Sequence, residues 1–205
     1  MATLQEAINL ARSAINDTDP VRYRYSTDDL LQYANDALDA MVVVRPELFY
    51  CNARITCVGG SVQRFNAVDS VGLRDIFYRE AGGVVTRTDR DILNNTKPNW
   101  MTDSAGAAVH WMPILDDPNG FFIYPPAEAG QALIGMYVKV PEEYALDAAI
   151  PLPSAYIPII ADYVIAMAQS SDAEHVISGR VQLFMTKFYQ ALGVAEQSSM
   201  GNRSE

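Results

Sequence analysis

The sequence predicts an α+β fold: helix pairs at the two ends of the chain form one bundle, and an antiparallel β-rich region is inserted between them. Three observations carry this. Apolar residues recur at three- and four-residue spacing near both ends. Between them lie short alternating runs, separated by turns rich in Gly, Asn, Asp and Pro. Neither helix pair can cover its own apolar stripe, so the economical arrangement packs the two pairs together. The boundaries that follow are 1–50 and 142–193 for the bundle, 51–141 for the insert and 194–205 for a C-terminal tail.

The first helix runs from about Leu4 to Ile15, with Leu4, Ala7, Ile8, Ala11 and Ile15 on one face. Asn16-Asp17-Thr18-Asp19-Pro20 breaks it. Ser26 is an N-cap for the second helix, with Asp29 three residues on, as in a capping box. Asp28 and Asp29 place negative charge at the positive end of its dipole. Leu30, Ala34, Ala37, Leu38, Met41 and Val42 form its apolar face, and Arg45-Pro46 stops it. The insert reads as Arg54–Val58 and Ser61–Phe65 around a Gly59-Gly60 hairpin turn, then Asp75–Glu80 and Val84–Arg87 around Ala81-Gly82-Gly83. Thr88 is expected to cap a short helix to Asn94. Val109–Ile114 and Phe121–Tyr124 flank the turn Leu115–Gly120, and Ala132–Val140 is the longest alternating strand. A third helix runs from Pro153 or Tyr156 to Gln169. A fourth, capped by Asp172, runs to Leu192 before Gly193.

The chain has 205 residues, 49% hydrophobic and 20% charged, which is enough to bury a sizeable core. No apolar run is long enough for a membrane span, and Met1–Ala14 lacks the pattern of a signal peptide, which predicts cytoplasmic synthesis. Cys51 and Cys57 fall on one face of one strand, roughly 20 Å apart if it is straight, so a disulfide between them is excluded. The net charge of −10 divides as −4 over 1–50, −1 over 51–140 and −5 over 141–205. Acidity concentrated at the two ends argues against gripping nucleic acid, which needs a basic face.

Chemistry is sparse. There is no phosphate loop, no nucleophile elbow and no Cys-x-x-Cys. His110 lies in a strand beside Trp111. Asp172 and His175 have helical ligand spacing, but two ligands make a weak metal site and Asp172 serves as a cap. No catalytic residue, metal site or cofactor is assigned. The remaining enzymatic reading is a small metal-dependent hydrolase built on Asp172 and His175.

Several phrases, in order, carry more. They are Arg24-Tyr25-Ser26-x-x-x-Leu30-Leu31-x-Tyr33-x-Asn35-x-Ala37-Leu38 and Arg45-Pro46-Glu47-Leu48-Phe49. Gly106-Ala107-Ala108-Val109-His110-Trp111-Met112-Pro113 and Tyr124-Pro125-Pro126-Ala127 follow. Then come Pro141-x-x-Tyr144-Ala145-Leu146, Ile150-Pro151-Leu152-Pro153 and Tyr156-x-Pro158-x-Ile160-x-Asp162-Tyr163. Together they resemble the head-to-tail adaptor (connector) proteins of tailed bacteriophages, of the short-tailed type. The likeness reaches to about Leu192 and is thinnest over 61–105.

The resemblance implies a structural virion protein at the head–tail junction, not an enzyme. It implies a ring of copies, usually a dodecamer, between the portal protein and the tail or nozzle protein. Such a ring extends the DNA channel and gives the tail a docking surface; genomic DNA passes through without specific binding. The family's C-terminal segment reaches the portal, which points to Val194, Gln197, Met200, Arg203 and Glu205 as interface residues. Acidic helical faces, with Asp28, Asp36, Asp39 and Glu174 as candidates, would line the channel and repel phosphates close to the wall. Another virion component, a tail-tube or completion protein, is the runner-up.

Overall fold

A computed structural model describes residues 2–171 and 178–193. The fold is α+β, and its internal packing divides the chain into Met1–Leu48 with Pro141–Glu205, and Phe49–Val140.

The first unit is helical. Helices α1 (Leu4–Ala14), α2 (Thr27–Val44), α4 (Ile157–Ser171) and α5 (Ser178–Ala191) build it, α3 lying in the other unit. Thr3 caps α1 in a reciprocal box with Glu6, a signal passed over in the sequence. Ser26 caps α2 by accepting from the Asp29 N–H at 3.0 Å. Helix α4 packs on α1, α2 and α5, and its Ile160, Ala161, Val164 and Ile165 are buried against them. An α4 that is apolar on several sides is what a central helix needs. A short 3-10 turn, Ser154–Tyr156, leads into it. After α5, Gly193 takes φ +83 and its N–H bonds back to the Gln190 carbonyl, a helix stop that favours glycine. The cap expected at Asp172 lies outside the described residues.

The second unit is a pair of sheets. Strands β1 (Tyr50–Thr56), β7 (Ala132–Lys139) and β3 (Ser70–Arg79) form one, in the order β1-β7-β3. Strands β2 (Gly60–Arg64), β6 (Asp117–Ala127), β5 (His110–Ile114) and β4 (Thr86–Arg87) form the other, in the order β2-β6-β5-β4. One core joins them: Ile55, Ile76, Leu133 and Tyr137 from the first sheet meet Trp111, Phe121, Ile123 and Ala127 from the second. Both cysteines are free; Cys57 is buried in this core, which pushes its thiol up to about 11.

Four local expectations fail here, each for a visible reason. The Gly59-Gly60 hairpin does not form: β1 and β2 belong to different sheets. Gln63, buried, inserts its amide into the turn, accepting from Val58 N–H and donating to the Val58 and Gly60 carbonyls, all at 2.8 Å. That side chain replaces the ladder a hairpin would supply. The second hairpin closes at Gly82 and Gly83, with positive φ, but survives only as a Tyr78–Val84 bridge. Burial of Val85 then carries the chain across to the other sheet, where β4 runs parallel to β5. The β5–β6 turn is tighter than expected: Ile114 pairs with Asp117, so Leu115-Asp116 is the turn and the register slips beyond it. Finally, helix α3 (Arg90–Thr96) is capped by Asp89, not Thr88, because the Thr88 N–H is engaged with the Trp111 carbonyl as β4 ends.

Candidate functional site

In the helical unit, a few side chains fix the geometry of the surface. Arg12 and Asp17 form a buried ion pair, both side chains 5% exposed. Arg12 also donates to the Tyr25 carbonyl and the Thr27 hydroxyl, both at 3.1 Å, and lies over the Tyr23 ring. Asp17 accepts from the Arg24 N–H at 2.7 Å. The α1–α2 connection is thus wound around one salt bridge, and the α2 N-terminus is held in place. Asn35 acts as a surrogate strand edge: its Nδ2 donates to the Tyr144 carbonyl at 3.2 Å and its Oδ1 accepts from the Tyr144 N–H at 2.9 Å. Tyr144 belongs to a strap, residues 141–153, that joins β7 to the turn before α4; further along it, Gln5 N–H bonds the Leu146 carbonyl and Ile150 N–H bonds the Ala2 carbonyl. Two arginines close helix C-termini, where cations are favoured: Arg45 donates to the Leu192 carbonyl and Arg180 to the Ala14 carbonyl.

These anchors expose one face of α2. Asp28, Gln32, Asp36, Asp39 and Val43 recur at three- and four-residue spacing along it, opposite the buried Leu30, Ala34, Leu38 and Met41. Burial, then the neighbouring carboxylates of Asp36 and Glu143, hold the Asp39 carboxyl above its ordinary range. Tyr163 on α4 lies beside the same group; burial, Asp36, Tyr189 and Asp39 raise its hydroxyl. Tyr163 packs on Phe188 at 5.0 Å, and Phe188 on Tyr189 at 5.2 Å. The result is a surface of carboxylates and aromatic rings drawn from α2, the strap, α4 and α5. Carboxylates clustered in this way can receive cations.

In the β unit, Trp111 lies beneath Arg87, whose guanidinium carbon is 5.6 Å from the ring, and its Nε1 donates to the Asp75 carboxylate at 3.2 Å. Trp100, also buried, donates to Asn94 and meets Phe122 edge-on at 5.7 Å. His110 is structural: its Nδ1 sits 2.8 Å from the Thr86 hydroxyl and its ring stacks on Tyr124. Among the described residues no three His, Cys, Asp or Glu side chains come together as a metal site, and no helix is long and apolar enough to cross a membrane. Asp172 and His175 lie outside the described residues.

The SU10 adaptor protein family model matches residues 2–205. The chain belongs to that family, one of phage head–tail adaptors. No curated protein matches it. The adaptor is therefore a bacteriophage structural protein with a place in the virion. Of the acidic residues expected to matter, the adaptor brings Asp36 and Asp39 together and sets Asp28 at the start of the same stripe. Glu174 lies outside the described residues, as do Val194, Gln197, Met200, Arg203 and Glu205. Sequence reasoning missed the Arg12–Asp17 pair and the Asn35 clamp. Each had a signal. Arg12 interrupts an apolar stripe, and Asn35 is a poor helix former in the middle of α2, where such a residue usually bonds elsewhere.

Proposed function

We propose that the adaptor assembles as a closed ring, a dodecamer, between the portal protein and the tail or nozzle protein, extending the channel through which genomic DNA leaves. The observation that carries this is the family match over residues 2–205. The rigid anchoring of both helix C-termini and of the strap suits a protein whose task is to hold two partners at fixed spacing. In this reading 1–50 and 142–193 form the body of the ring, 51–141 is an insert available for contacts, and 194–205 docks on the portal through Val194, Gln197, Met200, Arg203 and Glu205. Asp28, and Glu174 with it, would face the channel and discourage DNA phosphates from resting on the wall. Screening confines that repulsion to about 8 Å at physiological salt.

Mixing the full chain with portal protein and sedimenting the mixture tests the reading. A complex carrying both proteins is expected. Separate sedimentation at high concentration of both would contradict it. A chain ending at Gly193 is expected to fold with the same melting behaviour and to bind portal poorly; equal binding would remove the docking role of the tail.

A further inference from the structure

The β unit holds eight lysines and arginines. Four are matched to carboxylates: Arg54 with Glu80, Arg64 with Asp117, Lys97 with Asp103 and Lys139 with Asp69. Arg79 folds its guanidinium over Gly83. The other three, Arg74, Arg87 and Arg90, are exposed and have no ion partner among the described residues. Two of them flank one feature. Arg87 lies over Trp111, and Arg74 and Trp111 both line a small cavity of about 140 Å³ whose rim carries Val71, Ile114 and Pro118. Arg90 follows Arg87 by three residues, at the start of α3.

The helical unit has the opposite surplus. Asp36, Asp39 and Glu143 have no cation among the described residues, and Val43, on the same stripe of α2, is 81% exposed. Val43 thus lies beside uncompensated carboxylates, a surface opposite in charge to the one around Arg74 and Arg87. Guanidinium groups bind carboxylates through paired donors and stack on tyrosine rings, here Tyr163 and Tyr189. An apolar residue beside carboxylates fits a largely apolar cavity lining that carries Arg74, its one carboxylate, Asp117, being paired with Arg64.

We propose that the Asp36–Asp39–Glu143 face of one subunit docks on the surface around Arg74 and Arg87 of the next copy of this chain. The contact rests on the ring reading above. It joins two different surfaces, as a closing heterologous ring requires, and each copy offers one of each. Two copies meeting acidic face to acidic face would repel, which disfavours a two-fold dimer centred on that face.

A charge exchange tests it. Two full-length variants are made, Asp36→Lys with Asp39→Lys, and Arg74→Glu with Arg87→Glu, and each is sedimented with portal protein at low and high salt. Each alone is expected to lose assembly, its midpoint concentration rising more than about tenfold. Mixed together, the two are expected to regain it as alternating rings, since each reversed face then meets its reversed partner. Because Arg87 covers Trp111, Arg74→Glu alone, with an unchanged melting curve, serves as the second basic variant; it is expected to weaken assembly in the same direction. If the variants assemble like the natural chain, or the mixture fails to recover what each lost, the contact is overturned and Asp36 and Asp39 belong to the channel wall. If the natural chain forms no ring with portal, the ring reading falls and the contact with it.

Discussion

Among the described residues, the helical unit buries one ion pair and leaves Asp28, Asp36, Asp39 and Glu143 without a cation, whereas the β unit sets carboxylates against cations on its surface and keeps three arginines over. The first arrangement uses charge twice, once to fix a connection from inside and once as an unneutralised face. The second uses charge mainly to trim edges and turns. For an adaptor, the lesson is that its surplus charges are more informative than its paired ones. Exposed pairs contribute little to stability, whereas an uncompensated cluster sets up a field that an oppositely charged partner can use.

The comparison breaks most sharply at Asp17. Asp17→Ala strands the Arg12 guanidinium in the interior and is expected to cost about 3–5 kcal/mol, read by chemical denaturation. In the β unit, removing Glu80 from the exposed Arg54 pair is expected to leave the denaturation midpoint close to that of the natural chain. Similar losses in the two would show that burial does not separate them. A middle effect is expected at Gly135 in the central strand β7. A Cβ there would meet the Asp75 carbonyl at 2.5 Å and Ile55 at 3.2 Å. Gly135→Ala is expected to cost about 1–3 kcal/mol through overpacking; an unchanged midpoint would mean that β3 yields freely.

The smallest effect is a difference in acid response. Asp39 and Asp162 lie above their ordinary values in the folded chain, both chiefly through burial. A raised carboxyl gives stability that is fully present below its unfolded value and lost as pH rises through the folded one. Glu80 and Asp103 are held below theirs by Arg54 and Lys97, so their contribution is present at neutral pH and lost as pH falls through the lowered values. Glu47, held below its ordinary value by Arg45, is an exception among the described residues of the helical unit. Mild acidification from neutral pH is therefore expected to firm the helical unit before it loosens the β unit. Both tryptophans, Trp100 and Trp111, lie in the β unit, so their fluorescence follows that unit while helical circular dichroism follows mainly the other. A β unit that loosens first, with no gain in helix stability, would contradict the assignment.

Much of this fold was legible because helices announce their buried side by period. The α2 face from Leu30 to Val42 is buried as the spacing implies. The sheets were legible strand by strand but not in their pairing. Alternation says which residues face inward and not which strand lies alongside. Thus Ile55 and Cys57 were readable as inward, yet only the buried Gln63 shows why the chain leaves one sheet for the other at Gly60. The same limit applied to the surface. The clustering of Asp36 and Asp39 follows from helical spacing, while Glu143 joins them through the Asn35 clamp on Tyr144, which no periodicity encodes.

The mass of the complex that the full chain forms with portal protein tests the central claim most directly. A ring reading predicts a single species with a fixed, whole number of adaptor copies, twelve, on one portal assembly. A heterogeneous ladder of masses, or portal with no adaptor bound, would contradict it.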